Sequence, residues 1–189
     1  MSKKGKIIVI VAPSGTGKST LINKVMQELS YLSWSVSSTT RPIREGEVDG
    51  VNYDFITEEE FLSLRKENQF IEWAQVHSNY YGTKKSFIDE GLSEGKNLLF
   101  DLDVQGCDAI KEVYGAEARV IFIEPPSVEE LERRLLARAT DAENVIQERL
   151  NNAKKELLRK DDYDYKVVND DFETAYLNLK NVIESIVKG

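Results

Sequence analysis

The most constraining feature of this chain is an apolar run, Ile7 to Val11, that breaks directly into Ala12-Pro13-Ser14-Gly15-Thr16-Gly17-Lys18-Ser19. The spacing is that of a phosphate-binding loop, G-x-x-x-x-G-K-S/T, with alanine at the first glycine position. Each position has a mechanical reason. Gly15 and Gly17 let the backbone turn and aim its N–H groups inward. Lys18 reaches outer phosphates, and the Ser19 hydroxyl can ligate a magnesium ion bridging them. The β-branched run before the loop predicts a strand buried on both faces. Leu21, Ile22, Val25, Met26 and Leu29 then recur at helical spacing, so a helix adds its positive end to the same anion site. Ala12 requires only that its backbone stay outside the glycine-only region.

At 189 residues the chain suits one compact domain with small excursions. The net charge of −8 argues against a nucleic-acid-binding protein. It leaves room for a local arginine cluster around a nucleotide. The lone cysteine, Cys107, excludes an intrachain disulfide and reads as a small buried hydrophobe. Lys3, Lys4 and Lys6 precede an apolar run too short for a secretion signal, and no stretch is long enough to span a membrane. The expectation is a soluble cytoplasmic protein with no membrane or nucleic-acid partner and no obligate protein partner.

Helical and strand signals alternate, which predicts an α/β fold with a mainly parallel sheet. Core strands are expected near residues 7, 35, 98, 119 and 165. Strand-like pieces fall at Trp34–Ser37 and Tyr53–Ile56, and Phe70–Val76 reads as extended. Thr57 to Glu60 and Ser127 to Glu130 are capping boxes that open helices. Further helices are expected over Thr83–Glu94, Val104–Val113, Glu143–Arg159 and Phe172–Val187, with an interruption from Arg138 to Asp141. In such a sheet ligands bind beyond the carboxyl ends of the strands. Asp101 ends an apolar strand there, with Asp103 two residues on. Two residues apart in extended chain point the same way, so both carboxylates are expected to face the site. Either can hold magnesium, directly or through water. Arg41 and Arg44, with hydroxyls before them and Tyr53 after, are the right residues for a second phosphate clamp; read alone, the segment is equally well a polar loop. His77, Trp34 and Trp73 are expected to be structural or packing residues.

Taken together these motifs are similar to those of the guanylate kinase family. The resemblance runs end to end, through Ala12–Thr20, Ser35–Arg41, Gly46–Gly50, Phe70–Ala74, Asn79–Thr83, Asp101–Gly106, Pro125–Ser127 and Val168–Asp170. It implies a phosphate-loop NTPase-type core, a mainly parallel five-stranded sheet flanked by helices, over residues 1–36, 96–133 and 150–189. A GMP-binding region would span 37–95 and a lid 134–149. The implied activity is phosphoryl transfer from Mg2+-ATP to GMP. Pro13, Ser14, Gly15, Thr16, Gly17, Lys18, Ser19, Thr20 and Asn169 would bind ATP, with Asn169 on the adenine side. Ser19 and Asp101 would hold Mg2+. Arg41, Arg44, Tyr53 and Tyr81 would hold the GMP phosphate; Ser37, Glu72, Thr83 and Asp103 would line the guanine pocket.

Glu72 would discriminate between bases. Two side-by-side carboxylate acceptors match guanine N1–H and its N2 amine, whereas adenine would leave them unpaired, a mismatch that rejects a ligand by ~10⁴ or more. Lys18, Arg41, Asp101, Arg134, Arg138 and Arg149 would carry catalysis, the last two with Arg134 as lid arginines. Ala137 and Ala139 flank Arg138 where the family has glycines, and alanine favours helix by up to ~1 kcal/mol each; a stiffer lid is expected. The resemblance also covers scaffolding modules that keep the fold, lose the ATP loop and bind peptides. The intact Gly17, Lys18, Ser19, Asp101 and Arg138 speak against that alternative.

Overall fold

The chain runs β1 (Lys6–Val11), α1 (Lys18–Glu28), β2 (Leu32–Trp34), β3 (Ser38–Thr39), β4 (Asp54–Phe55), α2 (Glu58–Lys66), β5 (Phe70–Val76) and β6 (Asn79–Lys84). It continues with α3 (Lys85–Ser93), β7 (Asn97–Asp101), α4 (Val104–Tyr114), β8 (Ala118–Glu124), α5 (Val128–Ala137), α6 (Glu143–Leu157), β9 (Tyr165–Val168) and α7 (Phe172–Lys188). These come from a computed structural model that describes residues 4–137 and 143–189.

Burial of β1 on both faces sets the architecture. Ile8 and Ile10 pack with Leu21, Ile22 and Val25 of α1 and Leu179 and Ile183 of α7. Ile7, Val9 and Val11 pack on the other face with Ile88 of α3, Cys107 and Ile110 of α4. A strand whose alternate residues feed two separate cores must sit inside a sheet covered on both sides, and parallel sheets are covered in that way. The sheet order is β2-β7-β1-β8-β9, all parallel. Register aligns Ile10 with Asp101 and with Ile121, so the carboxyl ends of β1, β7 and β8 open on one edge. There the Leu102 N–H donates to the Ile10 carbonyl at 3.3 Å, tying the end of β7 to the start of the phosphate loop.

A second, four-stranded sheet has the order β4-β3-β6-β5. Strands β5 and β6 form a hairpin whose turn is His77-Ser78, with His77 at φ 54°. Positive φ suits the twist of a tight hairpin. Phe61 of α2 is fully buried and stacks on Phe70 and Tyr80, fastening that helix to the small sheet.

Several expectations are corrected here. Residues 79–84 form β6, so Thr83 lies on a strand, and the helix expected from Thr83 begins at Lys85. Asn79-Tyr80-Tyr81-Gly82-Thr83 carries no clean alternation; cross-strand pairing with β5 supplies what periodicity does not. Of the piece expected at Trp34–Ser37 only Trp34 is strand, the end of β2; the small sheet begins just beyond it with Ser38–Thr39. The segment 37–95 divides too, because Ile88 and Leu92 of α3 are buried in the core cluster with Leu98. Trp34 and Trp73 are 36% and 44% exposed, not packed away. Trp73 lies against the Arg65 guanidinium, 4.4 Å from the ring centre. Cys107 is fully buried as expected, and burial pushes its thiol up to about 11. Both capping residues act as read: Thr57 accepts from the Glu60 N–H at 3.1 Å and Ser127 from the Glu130 N–H at 3.1 Å.

Candidate active site

The phosphate loop holds itself in a cradle. Buried Thr16 folds back on Pro13: its N–H and its hydroxyl both donate to the Pro13 carbonyl, at 3.2 and 2.6 Å. Gly15 and Gly17 take φ values of 91° and 89°, left-handed backbone that L side chains rarely adopt. Ala12 is not among the positive-φ residues, so the missing first glycine costs no strain. Space adds to the demand at both glycines. A Cβ at Gly15 would stand 2.8 Å from Leu135 of α5, and one at Gly17 would stand 2.7 Å from Asn169 Nδ2.

Asn169 follows β9 and is 7% exposed. Its side-chain amide donates to the Thr16 carbonyl at 2.7 Å, and its backbone N–H to the Glu124 carbonyl at 2.8 Å. In this arrangement the amide is engaged by the phosphate loop. Arg134 of α5 donates to the Asn169 carbonyl at 2.9 Å and to Glu130 at 2.8 Å. Glu130 is held down to about 2 by Arg133 and Arg134 together.

A cavity of about 330 Å³ lies over Ala12–Thr20, bounded by Asp103 and Glu156. Lys18, at the start of α1, turns to the end of β7: its ammonium pairs with Asp101 and donates to the Leu102 carbonyl at 3.0 Å. Asp103 is the N-cap of α4, accepting from the Gly106 N–H at 2.8 Å. The two carboxylates do not face one site as the extended-chain argument expected. Asp101 lines a neighbouring cavity, whereas Asp103 bounds the phosphate cavity. The strand ends at Asp101, and helix capping turns Asp103 away.

Glu156 of α6 was not anticipated. Burial raises its carboxyl pKa, against the pull of Lys18. No local pattern in that charged helix distinguishes it from its neighbours. Arg149 lies half-buried on the same helix. Arg138 lies outside the described residues.

The neighbouring cavity, about 240 Å³, is lined by Trp34, Ser35, Ser37, Asn52, Tyr53, Thr83, Phe100, Asp101 and Leu102. Its polar wall is a short chain. Thr83 donates to Glu72 Oε1 at 2.8 Å, and the Thr83 and Ser37 hydroxyls are 3.4 Å apart. Burial raises the Glu72 pKa; the Thr83 hydroxyl lowers it and the Asp103 charge raises it again. The Ser35 hydroxyl is buried in this wall with no partner among the described residues. Tyr53 carries the site onward, edge to face with Tyr81 at 5.9 Å and 5.4 Å from the Arg41 guanidinium carbon. Arg41 is itself bound to Glu47, and the Arg44 side chain is exposed nearby.

Another cavity, about 410 Å³ near Lys4, Arg119 and Tyr165, opens at the starts of the strands, the wrong edge for a ligand of such a sheet. The arrangement at the carboxyl edge therefore offers a polyphosphate cradle and a carboxylate–hydroxyl pocket side by side. An arginine–tyrosine cluster lies at the mouth of that pocket.

The guanylate kinase family model matches residues 4–186. The chain is 44% identical over 183 residues to the guanylate kinase of Sulfurimonas denitrificans, covering 97% of this chain and 89% of that protein. It is 48% identical over 178 residues to that of Nitratidesulfovibrio vulgaris, covering 94% and 86%. The crystal structure of guanylate kinase from Anaplasma phagocytophilum matches with a TM-score of 0.69 at 34% identity, over 97% of this chain and 86% of that one.

Proposed function

The chain belongs to the guanylate kinase family and is an ATP:GMP phosphotransferase, and from that premise we propose how its residues divide the work. The phosphate loop, Pro13 to Thr20, cradles the ATP phosphates. The smaller cavity takes guanine, with Glu72 accepting from N1–H and N2 and Ser37 donating to O6. Thr83 lines that pocket, and Asp103 would reach the base from the adjoining phosphate cavity, where its charge already acts on Glu72. Arg41, Arg44, Tyr53 and Tyr81 hold the GMP phosphate. The γ-phosphoryl group passes from ATP to a GMP phosphate oxygen, giving ADP and GDP. Catalysis is then positioning and charge neutralisation, and no strong general base is assigned. Lys18 exchanges its contacts with Asp101 and the Leu102 carbonyl for the outer phosphates. Arg134, Arg138 and Arg149 close from the lid, which we place at 134–149.

Magnesium fits this site by its donors. Ser19 and Asp101 offer the oxygen ligands a hard cation prefers. Among the described residues no group of three or more acidic, His or Cys side chains could hold a metal alone. Phosphates and water would therefore complete its shell. Bound there, it would supply positive charge to neutralise the transferring phosphoryl group. The reaction belongs to purine nucleotide metabolism in the cytoplasm. Among the described residues no helix is long and apolar enough to cross a membrane.

The observation that carries the assignment is the Ser37–Thr83–Glu72 chain beside the Arg41–Tyr53–Tyr81 cluster: base reader and phosphate clamp adjoin in one cleft. A coupled ADP-release assay with Mg2+-ATP tests it. Turnover is expected with GMP and not with AMP. Comparable kcat/KM for both would overturn the guanine reading.

A further inference from the structure

Glu47 sits in the Gly46–Gly50 turn, and the phosphate chemistry above gives it no task. Yet it is tightly held. Arg41 Nη1–H donates to Oε2 at 3.0 Å and Nη2–H to Oε1 at 2.8 Å. The Arg44 backbone N–H donates to Oε2 at 2.8 Å. The two side chains are only 10% and 20% exposed, so this is not a loose surface pair. Arg41 Nη1 also donates to the Pro42 carbonyl at 2.8 Å.

Counting donors shows what Glu47 leaves open. A guanidinium has five N–H groups on a planar fork. Both from Nη1 and one from Nη2 are spent on Glu47 and Pro42. The Nε–H and the second Nη2–H share one edge of the plane, and among the described residues no carbonyl or carboxylate takes them. That edge is the bidentate fork that suits a phosphate. The carboxylate therefore grips the terminal edge of Arg41. Tyr53 lies against the same guanidinium and packs edge to face with Tyr81.

We propose that Glu47 is a positioning residue for the acceptor phosphate, holding Arg41 by its terminal edge so that the Nε–Nη2 edge is presented to GMP. Glu47 does not touch the ligand. It removes the rotamer freedom that a long arginine would otherwise lose on binding. A competing role, in which Glu47 is an internal anion displaced by the phosphate, would require both to use the same edge. The inference rests on the cleft being the GMP site.

The test compares GMP with guanosine, which lacks the phosphate. Trp34 lines the base cavity, so its emission reports both titrations in wild-type protein, Glu47→Gln and Glu47→Ala. The expected result is a GMP Kd raised about tenfold in Glu47→Gln and further in Glu47→Ala. Guanosine Kd, the KM for ATP and the thermal midpoint should stay near wild type. Unchanged or tighter GMP binding would overturn the proposal, the latter because it marks Glu47 as a competitor. Equal losses for GMP and guanosine would also overturn it, because they mark a merely structural turn residue. Wild-type protein that binds no GMP would instead sink the site assignment beneath it.

Discussion

At the scale of single residues, Glu72 and Asn169 show how context assigns a task. Glu72 is half-buried, and that burial holds its pKa above the ordinary glutamate value. A buried carboxylate with two acceptors is costly unless a ligand supplies donors, and guanine supplies two. Glu72→Gln should therefore raise the KM for GMP and lower kcat while leaving the KM for ATP near wild type; equal losses for both nucleotides would mark the residue as structural. The raised pKa gives a sign. As pH falls, Glu72 gains its proton sooner than an exposed glutamate, so guanosine affinity should begin to fall at a higher pH than an ordinary carboxylate would dictate. Guanosine avoids titration of the GMP phosphate, and the Glu72→Gln profile should be flat across the same range.

Asn169, in turn, fixes the phosphate loop, its side-chain amide donating to the Thr16 carbonyl. Replacing its amide by the carboxylate of Asn169→Asp sets an anion against the Thr16 carbonyl and loses a buried hydrogen bond, a cost of about 1–3 kcal/mol. The expected readout is a KM for ATP raised about tenfold with the KM for GMP unchanged.

At the scale of elements, α5 runs from the phosphate loop toward the segment proposed as a lid. Its Leu131 and Leu135 are buried against Ile146 and Leu150 of α6, and Leu135 closes over Gly15. Its Arg134 reaches the carbonyl of Asn169, whose side chain holds Thr16. The helix continues to Ala137; Ala139 lies outside the described residues. Alanine favours continued helix where glycine would favour a hinge. The double change Ala137→Gly/Ala139→Gly should alter kcat while the discrimination of GMP from AMP stays constant. Stopped-flow separation of the chemical step from product release would locate the change, and unchanged kcat and KM for both substrates would refute it.

At the scale of the whole molecule, the two candidate nucleotide sites hang on different sheets. The phosphate loop belongs to the parallel sheet through β1. Ser37, Glu72, Tyr81 and Thr83 belong to, or border, the small sheet. In-line transfer needs reacting atoms about 3–3.5 Å apart. We expect GMP to draw the small sheet toward the core. Small-angle scattering should report a lower radius of gyration with GMP and a non-hydrolysable ATP analogue together than with neither. An unchanged value would mean that the cleft is already assembled.

How much of this was legible beforehand follows from the range of the forces involved. Local sequence determined the phosphate loop, the buried β1, both capping residues and most helix bounds, because turn geometry, side-chain periodicity and capping act over a few residues. The candidate site residues were legible as ordered motifs, yet their partners were not. Strand β6 was missed because its stability comes from pairing with β5 and not from its own alternation. The tertiary structure alone decided that Asp101 and Asp103 serve different cavities, that the Asn169 amide grips Thr16 from 153 residues away in sequence, and that Glu156 joins the cleft at all. Such contacts depend on where whole elements dock, and docking is set by burial summed over the molecule, which no short stretch of chain encodes.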